Sequence, residues 1–490
     1  MNTSENTRPS AWVTGGQFQP LSDSDIRQIH AAALDILETT GVAVYSAKAL
    51  DTLEQAGANV DRSIPRAWLP KSIVEDAIAS APAKVELYGR TPENNLILEN
   101  KRVYLGTGGT TIKVLDLDGT HRKSSLQDCH QIPRLVDALE NIHFIVLPVY
   151  PNELTEENAD VNRFYGGLSN SSKHIMGGMY SLEGTLDVIR MAEMIVGDAE
   201  KLQKEPIVSF ISLIISPLLV DELYGDIIIE VAKRGIPISV PCEPQTGSTS
   251  PVTLAGNLTM YAADTLTGVT LTQLANPGTP VLCGYVGTTT DLRSMGYLSG
   301  SVESGLLNAG AAQIAQHWKI PFYATAGMSD SKTIDVQTGY ESALTSLVVA
   351  LSGANYIHDA AGLMEFAMVA SYEKYVVDNE IIGMVLRILR GIEVTPETIA
   401  ADLIKKVGPA GHFLREVHTV KHMRSEFFFP KLSDRELREN WLASGGLDAR
   451  QRANIIARQI LTEHQPEPIR TDVDKELHAQ FDLIQPETNN

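Results

Sequence analysis

The side chains best placed for chemistry are Glu243, Asp330, His358 and Glu365, each at or just past the end of a short apolar run. A carboxylate there can act as acid, base or partner of a cation, and a histidine can move a proton or donate to an anion. Each also has an ordinary structural use. An acid at a strand end is about as often a helix cap or ion-pair partner as a functional group. A lone histidine in an apolar run is more often a satisfied core residue. Aromatic residues gather at the same places: Tyr104, Tyr150, Tyr180, Tyr285, Tyr323, Tyr356 and Phe366. Their rings could cage an organic cation, although packing is the commoner role of a strand-end tyrosine. Small residues cluster there too, at 106–109, 177–178, 288–290 and 361–362, marking tight turns or a wide mouth. No nucleophile elbow, P-loop or HExxH occurs. Cys129, Cys242 and Cys283 form no CxxC pair and no metal-ligand spacing, so reduced thiols and no tightly bound metal are expected.

What must position these residues is an alternation of strand and helix. Short β-rich runs lie at 103–105, 144–149, 174–179, 207–214, 236–240, 280–286, 321–326 and 355–360. The intervening segments are long enough for crossover helices, with amphipathic spacing at 126–139, 182–196, 219–234 and 303–318. Gly235 with Pro237, Pro277 with Gly278, and Pro321 place breakers between a helix end and the next strand. Eight such units predict an α/β chain with a closed (β/α)8 TIM-like barrel over 101–395, its site at the strand carboxyl ends. No GxGxxG follows the first strand, which argues against a dinucleotide-binding sheet. A hairpin of 103–107 with 112–117 around Gly108 and Gly109 is expected beside the first strand. Residues 1–100 read as a helical N-terminal layer, with helices after Ser22 or Ser24, from Ala47 and from Pro70. An eighth crossover helix is expected over 372–390. Residues 396–490 read as a helical extension with a polar tail after His464.

At 490 residues and 43% hydrophobic composition, the chain can bury one large core with appendages. A net charge of −20 speaks against a nucleic-acid partner and against an anionic membrane surface. The longest apolar stretch, 207–220, is interrupted by Ser209, Ser212, Ser216 and Pro217, so no membrane span is expected. The polar first twenty residues, with Trp12 and Phe18 as their aromatics, read as neither signal peptide nor anchor. These features together predict a cytoplasmic enzyme for a small molecule; a homo-oligomer is expected, although these features do not fix the oligomeric state.

Several motifs add a family resemblance: 246–256 (TGSTSPVTLAG), 326–332 (AGMSDSK), 337–341 (QTGYE), 353–355 (GAN), 362–365 (GLME) and 377–380 (VDNE). With Leu87-Tyr88-Gly89-Arg90 and Gly106-Thr107-Gly108, the chain resembles the trimethylamine methyltransferase family from roughly residue 20 to 465. The resemblance implies a barrel enzyme that moves a methyl group from an amine to the Co(I) of a separate corrinoid protein. The corrinoid would belong to that partner, with no cofactor held tightly here. Family members acting on trimethylamine carry pyrrolysine just before the Ser-Asp-x-Lys motif, and Met328 stands at that position. A tertiary amine is a poor methyl donor until its nitrogen is made cationic, whereas a quaternary ammonium is cationic already. The chain thus resembles the non-pyrrolysine branch, which implies a quaternary amine and disfavours trimethylamine. Glycine betaine is favoured, with proline betaine and carnitine as alternatives. In this reading His358 contacts substrate, and Asp330 and then Glu365 are the candidate catalytic acids. Tyr104, Tyr180, Tyr285, Tyr356, Phe366 and Met328 line the substrate. Two other readings stand beside it: a barrel lyase or transferase for a small acid without corrinoid, and a betaine-binding sensor without turnover.

Overall fold

The computed structural model describes residues 13–486, so Trp12 lies outside the described residues. Eight parallel strands form its centre: β1 Tyr104–Thr107, β2 Ile145–Val146, β3 Ile175–Gly178, β4 Val208–Ile211, β5 Ile238–Cys242, β6 Val281–Tyr285, β7 Phe322–Thr325 and β8 Tyr356–Ala361. Each neighbours the next in chain order, and β8 returns to β1 with Tyr356 opposite Tyr104. Backbone bonds from His143 N to Leu105 O and from Thr107 N to Phe144 O tie β1 to the start of β2 and close the ring. The chain is a (β/α)8 barrel. Every strand overlaps the run from which the sequence predicts it.

Three helices precede the barrel, α1 Asp23–Thr39, α2 Ala47–Gln55 and α3 Lys71–Ser80. Ser22 caps α1 in a reciprocal box with Asp25. The crossovers are α4 Leu126–Asp137, α5 Glu156–Asn170, α6 Leu182–Val196 with the short α7 Ala199–Lys204, α8 Glu222–Lys233, α9 Leu254–Ala275, α10 Val302–Trp318, α11 Val336–Ser352 and, after β8, α12 Tyr372–Leu389. Helix α9 has no polar face because it is covered twice. The barrel lies beneath it, and α1 and α3 pack over it. The N-terminal layer also holds strands of three residues each, Val42–Val44, Asn59–Asp61 and Arg66–Trp68, joined in one sheet by Leu219–Val220. Runs that short show no period-two pattern, which is why the sequence reads as helical there. Among the described residues no helix is long and apolar enough to cross a membrane.

The expected hairpin is not formed. Lys113–Leu115 pairs antiparallel with His121–Lys123 and parallel with Val369–Ser371 instead. The reason is closure: β1 is bonded to β8 on one side and to the β2 segment on the other, so it has no free edge. A different hairpin, Lys84–Leu87 with Leu96–Glu99, plugs the amino-terminal end of the barrel. Its Val85, Leu87, Leu96 and Leu98 pack on the inward residues Tyr104, Phe144, Val146, Met176, Leu282, Tyr323 and Tyr356. One end of the barrel is thereby sealed, and only the strand carboxyl ends are open.

Candidate active site

At the open end lies a cavity of about 300 Å³, roughly ten water volumes at about 30 Å³ each. Its walls come from strand ends around the ring. They include Gly109 and Thr110 after β1, Gly178 and Tyr180 from β3, Glu243 after β5, Tyr297 after β6, Tyr323 from β7, and His358 and Asp359 from β8.

His358 crowns a column of rings rising from the plugged end. Phe144 stacks on Tyr356 at 3.4 Å between centroids, Tyr356 on Tyr323 at 5.7 Å, and Tyr323 on His358 at 4.0 Å. The imidazole Nδ1 lies 2.6 Å from the Ala324 carbonyl, and Nε2 lies 2.9 Å from Asp359 Oδ2. Both ring nitrogens face acceptors, so each contact needs a proton. The pair is therefore an imidazolium against a carboxylate or an imidazole against a carboxylic acid, and it is neutral overall in either form. Asp359 Oδ1 is buried with no hydrogen-bond partner. Strand alternation would turn Asp359 away from His358, but its backbone is left-handed (φ 60°) at an irregularity in the β8–β1 register. Both side chains consequently reach the cavity. The fit needs glycine on β1, because a Cβ on Gly106 would meet the Phe144 ring at 2.2 Å and one on Gly108 would meet Asp359 Oδ1 at 1.7 Å.

Glu243 faces the pair from across the barrel. Burial pushes its carboxyl up to about 7, and the nearby Asp359 charge adds to this, while the Tyr297 hydroxyl beside it and His358 pull down. Tyr180 completes the wall, with its ring 5.0 Å from Tyr150 and under the Arg163 guanidinium at 5.1 Å. Arg163, fully buried on α5, ties three strand ends together. It donates to Val149 O, Gly178 O and Thr110 Oγ1. Asp160, one turn earlier, accepts from the Tyr180 and Ser181 amides, and burial raises its carboxyl to about 6.

Of the residues singled out from sequence, His358 and Tyr180 line the cavity, and Glu243 and Tyr323, noted at strand ends, do so as well. The others lie elsewhere. Tyr104 begins β1 at the plugged end, where its oxygen accepts the Ile97 amide at 3.2 Å. Tyr356 is inside the ring column beneath His358. Tyr285 has outward parity on β6 and donates to Asn257 Oδ1 on α9. Met328 is buried after β7 and does not line the cavity. Asp330 accepts from Ser299 N, Ser299 Oγ and Gly300 N at 2.9, 2.6 and 3.1 Å, pinning the turn that enters α10. Glu365 and Phe366 sit in a left-handed turn (φ 50° and 62°). Glu365 faces His121 at 3.7 Å, and the Phe366 ring carries the Lys332 ammonium at 4.1 Å.

Lys374 and the motif residues Asp378, Asn379 and Glu341 brace the strand ends. Lys374 Nζ bonds Asp378 Oδ2 at 2.6 Å and Gly327 O at 3.0 Å, and Asp378 Oδ2 accepts the Gly362 amide, so one buried pair holds the ends of β7 and β8. Asn379 takes the Asn141 amide, and Glu341 takes Ser329 Oγ and the Asp330 amide. Asp359 and Tyr297 escape a sequence reading, because a bulge positions the first and a rim hairpin, Thr289–Asp291 with Gly296–Leu298, positions the second. The inward parity of Pro241 and Glu243 on β5 is the signal that finds Glu243. Among the described residues no three His, Cys, Asp or Glu side chains gather so as to hold a metal ion.

The family model for trimethylamine methyltransferase (MTTB) matches residues 2–485. Trimethylamine methyltransferase MttB of Desulfitobacterium hafniense is 37% identical over 460 residues, 94% of this chain and 92% of that protein. A glycine betaine methyltransferase from another strain of that species is 33% identical over 469 residues, 95% of this chain and 97% of that one. Trimethylamine methyltransferase MttB of Methanosarcina thermophila is 33% identical over 478 residues, covering 95% and 98%. Among solved structures, the monomethylamine methyltransferase of Methanosarcina barkeri superposes with a TM-score of 0.53 over 91% of this chain and 88% of its own. At 12% identity it speaks for the fold alone. The chain belongs to the trimethylamine methyltransferase family and is a methyltransferase.

Proposed function

We propose that this enzyme moves a methyl group from a quaternary amine, glycine betaine before proline betaine or carnitine, to the Co(I) of a separate corrinoid protein. The observation that carries the reading is the character of the cavity: aromatic rings set among acids whose charge is muted. Tyr180, Tyr297 and Tyr323 line the same space and suit a trimethylammonium group. Burial holds the Glu243 carboxyl up to about 7, which favours its neutral form. Asp359 is matched by His358 at 2.9 Å. Muting matters because the charge on nitrogen disappears as the methyl group leaves. A full carboxylate against the cation would stabilise the ground state more than the transition state and slow transfer.

The corrinoid protein supplies the nucleophile: its Co(I) electron pair forms the new bond to the methyl carbon, while the C–N pair stays on nitrogen, which departs as a neutral tertiary amine (dimethylglycine from betaine). This chain's residues bind the donor, aim one methyl outward and keep water away, so positioning provides most of the rate. Protonated Glu243 and the Tyr297 hydroxyl can donate to a betaine carboxylate without placing a strong charge beside the cation. Gly109, Thr110, Gly178 and Ala367 present little side chain along the cavity wall, which fits the approach of a bulky ring. Met328 supports a quaternary donor, since a buried thioether offers no group that would make a tertiary amine cationic. The relatives' names point to both trimethylamine and glycine betaine, so the donor class rests on the site. We place the catalytic unit at residues 101–395, the N-terminal layer at 1–100 and the extension at 396–490, in a cytoplasmic enzyme.

The test mixes purified protein, a Co(I) corrinoid protein and each amine, and follows the visible spectrum. Methylation of the cobalt with glycine betaine, and none with trimethylamine, is expected. Turnover of trimethylamine alone overturns the donor class. Betaine binding without any spectral change favours a sensor.

A further inference from the structure

Tyr297 reaches the cavity wall from a rim hairpin and not from a barrel strand. Its hydroxyl lies beside both the Glu243 carboxyl and the Thr288 hydroxyl. The hairpin pairs Thr289 with Leu298, Thr290 with Tyr297 and Asp291 with Gly296. Its tip stands in solvent, with Leu292 and Met295 exposed. A two-stranded hairpin is marginal by itself in water, so its place must be set where its ends join the body. The outgoing strand is joined at Thr246, which bridges Thr289 and whose amide donates to Thr288 O. The return strand is joined two residues past Tyr297. There Asp330 Oδ1 accepts from Ser299 N at 2.9 Å and Ser299 Oγ at 2.6 Å, and Oδ2 accepts from Gly300 N at 3.1 Å.

Asp330 is itself fixed from two sides. Its amide donates to Glu341 Oε2 at 2.9 Å, and its carbonyl accepts from Lys332 Nζ at 2.7 Å. Glycine at 300 belongs to the arrangement, since a Cβ there would meet the Glu341 carboxyl at 2.6 Å. Helix α10 does not depend on these bonds for its start, because Ser301 Oγ caps it through the Ser304 amide. Three bonds to a buried carboxylate are therefore left to act on the hairpin. Asp330 does not line the cavity, so any effect on a donor passes through Tyr297.

We propose that Asp330 is a positioning residue that holds the 289–298 hairpin to the segment after β7 and so keeps the Tyr297 hydroxyl beside Glu243. The Ser-Asp-x-Lys motif then acts at one remove, on the part of the cavity that would take a carboxylate. Naming a carboxylate-bearing donor rests on the proposed function; the link from Asp330 to Glu243 does not.

Two measurements on the full-length protein keep these apart. The first uses no donor. It is an infrared titration of the Glu243 carboxyl, identified by its loss in Glu243→Gln. The Tyr297 hydroxyl favours the charged carboxylate, so the midpoint is expected to rise above about 7 in Tyr297→Phe and in Asp330→Asn alike. A midpoint unmoved or lowered in a folded Asp330→Asn protein overturns the proposal, since a residue serving stability alone would leave it in place. The second compares glycine betaine with tetramethylammonium, which has the cation and no carboxylate. Asp330→Asn is expected to lower the ratio of their kcat/KM values about tenfold, mainly through the KM of glycine betaine. An equal loss for both donors overturns the proposal. If the wild type turns over neither donor, the proposed function fails and the titration alone decides the role of Asp330. Should Asp330→Asn not fold, Ser299→Ala removes one of the three donors and is expected to move both readings the same way by less. Readings unmoved in that variant overturn the proposal.

Discussion

His358 and Asp359 act as one unit, because each contact of the imidazole is to an acceptor and the pair is neutral overall. Removing the ring takes away the partner that holds Asp359 Oδ2 at 2.9 Å and the top of the ring column in the proposed donor site. His358→Ala is therefore expected to lower kcat/KM for glycine betaine about 10²-fold through lost positioning; an unchanged kcat/KM would take His358 out of the site. Glu243 allows a pH test. Its carboxyl moves from an ordinary 4.5 to about 7 on folding, so the neutral form is the one the fold favours. That contribution is complete below pH 4.5 and is lost as pH rises through 7. Glu243→Gln lacks the titration, so the variant should gain on the wild type by about 3 kcal/mol between pH 4.5 and 8. Denaturant titrations of both proteins across that range would show it, and a constant difference would contradict the burial argument. Residue roles were the least legible part of the sequence. Tyr285 and Asp330 have the right chemistry at strand ends, but one points outward by parity and the other is spent on three donors around Ser299. Asp359 reaches the cavity through a single left-handed residue, which no pattern of side chains announces.

At the level of elements, the ends of β1, β7 and β8 hold the His358–Asp359 pair of the candidate site. A methyl group on Gly108 would fall 1.7 Å from Asp359 Oδ1. Gly108→Ala should displace Asp359, cost about 1–3 kcal/mol of stability and reduce turnover well beyond what that loss explains. Native turnover in a folded Gly108→Ala protein would show that Asp359 need not lie where it does. The Lys374–Asp378 pair braces β7 and β8 with both side chains fully buried. Lys374→Met leaves a buried acid unpaired and should cost about 3–5 kcal/mol, whereas adding Asp378→Leu should restore most of it. Equal stability of the single and double variants, measured by urea unfolding, would contradict that brace. Strands were legible because each lies between breakers and is buried on both faces, giving short apolar runs at regular intervals. Helix α9 was not, since a helix covered by both the barrel and the N-terminal layer carries no amphipathic stripe.

For the whole molecule, the closed ring and its open carboxyl end follow from eight strand–helix units, and that much is readable from spacing. The hairpin expected at 103–117 fails for a reason that exists only at this scale: a closed barrel offers no edge. Closure at the plug makes the cavity blind, so under the proposed function a donor and the group that receives its methyl share one mouth. The central claim is that the donor sits in this cavity with its ammonium among Tyr180, Tyr297, Tyr323 and Glu243. A crystal structure of the protein soaked with glycine betaine tests it most directly. Density for the trimethylammonium group within contact of those side chains, with the carboxylate near Glu243 and Tyr297, is the expected result. An empty cavity with betaine bound elsewhere would contradict it.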